Sequence, residues 1–180
     1  MDIFRLCSIF WSRLKGIWNY FGRKDQRLQE FAIGMSSEVD FKQDLHILIL
    51  DYDEVSLEKV EESVRELQSF WNLSDAFIYK TRRGYHCYFY YDIMPYSRVV
   101  MILNYAKFVD DQFRYISKFY NRKTIRVCGK YKERDIFFEK KLSGLRKPSV
   151  LDAELGDMKR KEREILSGHR TMFKKELLKE

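Results

Sequence analysis

The spacing of hydrophobic residues changes along the first half of the chain from strand-like to helix-like. Residues 45–50 (Leu-His-Ile-Leu-Ile-Leu) form a short, nearly all-apolar run typical of a buried β-strand. Between residues 57 and 71, apolar side chains recur at steps of three and four with acidic side chains between them, which predicts a helix. Ser56 is placed to be its N-cap. A strand followed directly by a helix is therefore expected.

Two aromatic-rich strands are predicted next, at residues 76–80 and 85–91. The turn between them, Thr-Arg-Arg-Gly, ends in Gly84, which permits the positive φ that a tight hairpin favours. We therefore expect a hairpin after the first helix.

The second half of the chain predicts one more helix and two more strands. A helical pattern begins near Ser97 and runs to Ala106, and whether it extends to Ile116 is left open. Strands are predicted at 124–128 and 134–138, around a basic turn. Together these elements predict an α+β fold with a mixed or antiparallel sheet and helices.

The two ends of the chain differ from its centre. Residues 1–21 have the pattern of a basic amphipathic helix, for which packing on the protein's own core is the commoner role and contact with a membrane surface is the alternative. The last part of the chain is rich in Lys and Glu and predicts a helical tail with few core residues. We predict an N-terminal helix and polar connection at 1–40, a core at 41–147 and the tail at 148–180.

Composition and charge narrow the class of protein. The chain has 180 residues, 34 Lys and Arg against 27 Asp and Glu, and a net charge of +7. Eleven of the basic residues and only three acidic ones lie between 118 and 147, interleaved with aromatic residues, which is typical of a surface that binds single-stranded nucleic acid. The three cysteines have no Cys-x-x-Cys spacing, so no zinc site is expected and the cytoplasm is the predicted location.

Two aspartates close the first predicted strand. Asp51 and Asp53 are two residues apart, so on a strand both carboxylates project from one face. Paired carboxylates repel each other unless a cation lies between them, and their hard oxygen atoms suit Mg²⁺ or Mn²⁺. The alternative is that these acids only open a turn before the next helix.

A second cluster lies at the predicted hairpin and a third farther along the chain. Lys80, Arg82 and Arg83 flank the turn that leads to His86, a candidate ligand of nucleotide phosphates. Arg126 and Lys130 are candidates to hold a triphosphate, Arg126 through its planar guanidinium and Lys130 as a point charge. Each pattern alone is also common on a basic protein surface.

The order of these motifs resembles the archaeo-eukaryotic primase superfamily of primases and primase-polymerases. The strand ending in Asp51-Tyr52-Asp53 is similar to the family's first motif, and Thr81-Arg82-Arg83-Gly84-Tyr85-His86 is similar to its second. A third aspartate followed by a basic strand is matched loosely by Asp110 and residues 125–130. The resemblance covers residues 45–139.

The resemblance implies a core related to the RNA-recognition-motif sheet, two divalent ions and template-directed nucleotidyl transfer from NTP or dNTP. Asp51 and Asp53 would bind metal, with Asp110 or Asp135 as the third carboxylate, and His86 would contact the incoming nucleotide. Arg126 with Lys130 would hold the triphosphate, and Lys80 and Arg83 are secondary phosphate or template ligands. The expected partners are a single strand or primer-template, a nucleotide and a replication protein, and the expected setting is replication of a small or mobile genome.

Three other functions fit parts of the sequence. The same sheet can serve as a non-catalytic module that binds single-stranded nucleic acid. Paired aspartates also serve metal-dependent nucleases. If the N-terminal helix carries the main function, the chain docks on a membrane surface or on a partner protein, and the acidic site is vestigial.

Overall fold

A five-stranded antiparallel sheet forms the centre of the molecule. The computed structural model describes residues 33–40, 42–119, 122–127 and 136–177, with side chains up to residue 168. Strands β1 (Gly34–Ser36), β2 (Glu38–Asp40) and β3 (Leu45–Asp53) are followed by helix α1 (Leu57–Trp71) and then by β4 (Ala76–Lys80) and β5 (Gly84–Pro95). The remaining elements are α2 (Tyr96–Tyr105), α3 (Asp111–Ile116), β6 (Thr124–Arg126), β7 (Phe137–Leu142) and α4 (Val150–Leu177). The predicted N-terminal helix lies outside the described residues.

The strand order of the main sheet is β2-β3-β5-β4-β7, and every neighbouring pair is antiparallel. Strands β3 and β4 are joined through α1, while β5 lies between them, which makes a split β-α-β unit. The fold is therefore α+β, as predicted, with antiparallel rather than mixed pairing.

Strand β6 does not join this sheet. It pairs with β1 in a separate two-stranded sheet, whereas β7 pairs with β4 at the edge of the main one. The two strands predicted around the basic turn thus belong to different sheets. Because β1 is about 90 residues before β6 in the chain, no local pattern indicated this pairing.

The hydrophobic core lies between the main sheet and helices α1 and α2. Alternate side chains of β3 and β5 point into it and meet the apolar stripe of α1, as the periodicity predicted. Its fully buried members include Leu48, Leu50, Val60, Val64, Leu67, Cys87, Phe89, Val99, Ile102 and Leu103. Helix α1 follows Ser56 as predicted, but the Ser56 side chain makes no capping hydrogen bond to the helix backbone.

Helix α4 packs on the opposite face of the sheet, mainly against β5. The loop before it is anchored by Arg146, whose Nε donates to the buried Asp92 at 3.1 Å and whose Nη1 donates to Asp152 at 2.9 Å. Burial of the Asp92 carboxylate raises its pKa, while Ser74 and Arg146 counteract that rise. The tail predicted to have few core contacts therefore covers one face of the sheet.

Gly84 is required for a different reason from the one predicted. No described glycine has a positive φ. A Cβ at Gly84 would lie only 1.7 Å from the backbone oxygen of Tyr52, so the close approach of β5 to β3 excludes any side chain there. The turn itself is closed by Thr81, whose hydroxyl accepts a hydrogen bond from the Gly84 backbone N–H at 2.9 Å.

In the part of the chain that the structure describes, no helix is both long enough and apolar enough to cross a bilayer.

Candidate functional site

Asp51 and His86 are direct neighbours on adjacent strands. They are paired in the β3–β5 register, and Nε2 of His86 lies 3.4 Å from Oδ1 of Asp51. Asp51 and the imidazole are therefore adjacent, whereas Asp53 is paired with Gly84 in the same register. The side chain of His86 is 4% exposed, while those of Asp51 and Asp53 are 24% and 40% exposed. The imidazole lies beneath the surface rather than in an open hollow.

The electrostatic environment of Asp51 is unfavourable to its charge. Burial, followed by the neighbouring charges of Asp53 and Asp110, raises the pKa of Asp51 to about 7, although Arg126 and Lys123 act in the opposite direction. The charges of Asp53 and Asp110 are thus close enough to Asp51 to oppose its ionisation. A carboxylate held in this way is stabilised by any cation that enters the site.

His86 is held in its neutral form. Burial, together with the positive charges of Arg126 and Arg163, lowers the pKa of His86 to about 3. Its contact with Asp51 is therefore not an ion pair at neutral pH. A neutral imidazole has one N–H donor and one acceptor nitrogen, so His86 is suited to hydrogen bonding rather than to charge neutralisation.

Asp110 lies at the N-cap of helix α3. Its Oδ1 accepts a hydrogen bond from the Phe113 backbone N–H at 2.7 Å, and its own N–H donates to the Asp51 backbone oxygen at 2.8 Å. The second predicted helix therefore does not continue through this position. It ends at Tyr105, and the chain restarts as α3 beside β3. The rival third carboxylate, Asp135, lies outside the described residues.

Two residues next to these carboxylates adopt left-handed backbone conformations. Glu54 has φ 57° and follows Asp53, and Phe108 has φ 60° two residues before Asp110. Neither is glycine, so each conformation costs free energy that the surrounding structure must supply. Two of the four described non-glycine residues with positive φ thus lie beside the carboxylates, and the other two, Asp44 and Asn72, lie elsewhere.

An open groove of about 310 Å³ lies beside the carboxylates and is lined by Phe113, Ile116, Arg122, Lys123 and Thr124. Lys123 is 2% exposed, and its ammonium lies 4.1 Å from the Phe113 ring centroid and donates to the Phe113 backbone oxygen. Burial lowers the pKa of Lys123 to about 8, while Asp51 and Asp110 raise it. Lys123 was predicted only as one cation of the basic segment, and its place at the site depends on pairing between distant segments.

The other residues predicted to bind phosphate do not all lie at the site. Arg126 is close enough to act electrostatically on both Asp51 and His86. Arg83 instead lies beside acids, with Nη2 2.8 Å from Oε1 of Glu54 and 3.9 Å from Oδ2 of Asp53. Lys80 does not join the site, because its ammonium lies 3.9 Å from the ring centroid of Tyr85, on the helix-covered face. Lys130 lies outside the described residues.

The donor set suits a hard divalent cation, although its side chains are not arranged as a complete ligand shell. Asp51, Asp53 and Asp110 supply carboxylate oxygens, which Mg²⁺ and Mn²⁺ prefer. Among the described residues, no three His, Cys, Asp or Glu side chains are grouped closely enough to hold a metal ion as they stand. A Mg²⁺ or Mn²⁺ ion bound by one or two of these carboxylates would complete its coordination with water or substrate oxygens.

Comparison with known proteins identifies no relative: no protein-family model, no curated protein and no solved structure matches the chain. The chemistry of the residues at the site is therefore the basis for inferring what the chain does.

Proposed function

We propose that the chain is a nucleotidyltransferase of the primase-polymerase type, which adds nucleotides from NTP or dNTP to a template-bound strand with the help of divalent metal. The observation that carries this proposal is the cross-strand pair of Asp51 and His86, with Asp53 and Asp110 close to it and Arg126 acting on both partners. The split β-α-β arrangement of antiparallel strands supports a core related to the RNA-recognition-motif sheet.

The carboxylates are the residues that would hold the metal. Burial and the charges of Asp53 and Asp110 disfavour the ionised form of Asp51, and a divalent ion bound there would offset both effects. Ions held there would supply Lewis-acid chemistry, which lowers the pKa of an attacking hydroxyl and neutralises charge on a leaving pyrophosphate. The protein's contribution is to hold the oxygen ligands at the end of β3, next to cationic groups that attract phosphate.

The cations and the groove are suited to a nucleotide. Arg126 lies near the carboxylates and its guanidinium can pair with two phosphate oxygens. The groove at Lys123 is at the lower end of the volume range of small-molecule sites, combining the ring of Phe113 with two basic side chains. A base or sugar in this groove would place its phosphates near the carboxylates.

The test is metal-dependent primer synthesis or extension by the full chain. We expect a labelled primer-template to be lengthened with NTP or dNTP and Mg²⁺ or Mn²⁺, and Asp51→Ala with Asp53→Ala to reduce synthesis to the no-enzyme background. Glu58→Ala with Glu62→Ala is the matched control, since it removes two exposed acids from α1. Synthesis that survives the aspartate change would reject the proposal, and shortening of the primer would identify a nuclease.

A second candidate is a non-catalytic module that binds single-stranded nucleic acid. It is favoured by the aromatic residues Tyr79, Tyr88 and Tyr90, whose rings contact one another on the face of the sheet that carries Asp51. This candidate predicts salt-dependent binding of oligonucleotides that does not depend on metal, with no change in primer length.

A further inference from the structure

One row of side chains crosses the main sheet from the carboxylates to its far edge. The strand registers align Asp51 with His86, His86 with Tyr79, and Tyr79 with Phe138. Residues paired in this way in antiparallel strands project from the same face. We call Asp51, His86, Tyr79 and Phe138 the cross-sheet row.

Aromatic rings dominate this row and its surroundings. The ring centroid of Tyr79 lies 5.5 Å from that of Phe138 and 5.3 Å from that of Tyr88, and Tyr88 stacks on Tyr90 at 5.3 Å with an interplanar angle of 6°. Phe138, on the edge strand, is 52% exposed. The row therefore begins at an open aromatic ring and ends at the carboxylate site.

Helix α4 covers the middle of the row. The guanidinium carbon of Arg163 lies 3.4 Å from the centroid of the Tyr79 ring and 5.5 Å from that of Tyr88, and Arg163 is 4% exposed. A planar guanidinium in van der Waals contact with an aromatic face occupies the position that a stacked base would take.

The contact between α4 and the sheet leaves polar groups unsatisfied. Nδ1 of His86 has no hydrogen-bond partner in the described part of the chain, and the hydroxyls of Tyr88 and Tyr90 have only weak hydrogen bonds, with Arg163 and Tyr79 respectively. Each buried polar atom left unpaired opposes the packing of the helix on the sheet. By contrast, the Tyr52 hydroxyl on the other face is hydrogen-bonded to Ser63 at 3.1 Å.

We propose that α4 is a displaceable cover and that the cross-sheet row beneath it binds single-stranded nucleic acid. When α4 moves away, bases stack on Phe138 and Tyr79 in place of Arg163, the freed tyrosine and histidine groups gain hydrogen-bond partners, and the strand leads to the carboxylates. The inference rests on the proposed function in one respect only, because the proposed function identifies the bound nucleic-acid strand as the template. Binding by this face does not itself require catalysis.

Two glycines of α4 provide a matched pair for the test. A Cβ at Gly156 would meet the Tyr91 ring and lie 2.6 Å from the Tyr90 backbone oxygen, so Gly156→Ala pushes α4 away from β5. A Cβ at Gly168 would meet nothing within 4 Å, so Gly168→Ala leaves the cover in place. Both changes raise helix propensity equally. We expect a labelled oligothymidylate, followed by fluorescence anisotropy, to bind Gly156→Ala at least about fivefold more tightly than Gly168→Ala.

Two neighbouring phenylalanines on β7 test the row itself in the unmodified chain. Phe138 contacts Tyr79, whereas Phe137 pairs with Lys80 and belongs to the opposite face, and the two are 52% and 51% exposed. We expect Phe138→Ala to weaken oligonucleotide binding by about fivefold or more, and Phe137→Ala to leave it within twofold. Combined with Gly156→Ala, Phe138→Ala should remove the gain.

The inference is overturned if Phe138→Ala and Phe137→Ala have equal effects, a comparison that holds even if Gly156→Ala fails to fold. It is also overturned if Gly156→Ala raises hydrogen exchange along β5 but does not tighten binding, which would make α4 a fixed structural element. Failure of the proposed function gives a different result. If the variants differ in oligonucleotide binding as expected but the chain synthesises no primer, the proposed catalytic activity is wrong and the proposed binding surface is still supported.

Discussion

The two faces of the main sheet are made by the same strands but differ in chemistry. Strand β3 directs Leu48 and Leu50 towards α1 and α2, and Asp51 towards the other side, where β5 places His86. The helix-covered face is close-packed and apolar, while the α4 face contains a carboxylate, Asp51, whose charge is opposed by its surroundings, and buried polar atoms without a hydrogen-bond partner. The first arrangement stabilises the fold. The second opposes it, which is expected where residues are kept for binding or catalysis.

Replacing the most unfavourable carboxylate should make the fold more stable. In the wild type, burial and the charges of Asp53 and Asp110 raise the folded-state pKa of Asp51 to about 7. Because this pKa is higher than that of the unfolded chain, the protonated carboxyl contributes its full stabilisation below about pH 4. This contribution to the free energy of unfolding is lost as the pH rises through 7. Asp51→Asn has no such loss. We expect it to exceed the wild type by roughly 2 to 4 kcal/mol at pH 8 and to match it near pH 4.

The measurement is urea denaturation of both proteins across this pH range in the presence of a chelator. His86 contributes the opposite trend in both proteins, because its lowered pKa gives stability that is lost as pH falls from about 6.5 towards 3. The difference between the two curves therefore isolates Asp51. If the difference in the free energy of unfolding between the two proteins stays constant above pH 4, the environment of Asp51 does not disfavour its ionised form.

A smaller effect distinguishes two fully buried tyrosines on opposite faces. Tyr52→Phe removes a hydroxyl that is hydrogen-bonded to Ser63, so we expect a loss of about 1 kcal/mol. Tyr88→Phe removes a buried hydroxyl whose one hydrogen bond, with Arg163, is weak, so we expect no loss, or a gain of up to about 1 kcal/mol. Thermal denaturation measures the stability of both variants relative to the wild type. Equal losses of stability would mean that the two faces do not differ in how well their buried hydroxyls are hydrogen-bonded.

Local patterns were enough to predict the elements that carry the acidic pair and the imidazole. Strand β3 is a nearly all-apolar run, helix α1 has apolar residues at steps of three and four, and strand β4 is rich in aromatic residues. The position of Asp110 was harder to predict, because Val109, Phe113 and Ile116 continue the helical spacing of apolar residues. The left-handed backbone conformation of Phe108 nevertheless separates the two helices. Side-chain periodicity does not reveal a backbone conformation of that kind.

Long-range packing could not be predicted. Lys159 and Arg163 occur in a Lys- and Glu-rich segment typical of a solvated helix, yet both are buried against the sheet. The pairing of β1 with β6, which brings Lys123 and Arg126 to the site, joins segments about 90 residues apart. In both cases the determining partner is distant in the chain.

Direct binding of Mn²⁺ tests most simply whether the polar face is kept for a cation. Electron paramagnetic resonance of free Mn²⁺, titrated with the full chain at pH 8, should show loss of the free-ion signal for the wild type and for Glu58→Ala with Glu62→Ala. Asp51→Asn with Asp53→Asn should leave the signal unchanged. Equal Mn²⁺ binding by the wild type and the Asp51 and Asp53 variant would contradict the assignment of these carboxylates as a metal site.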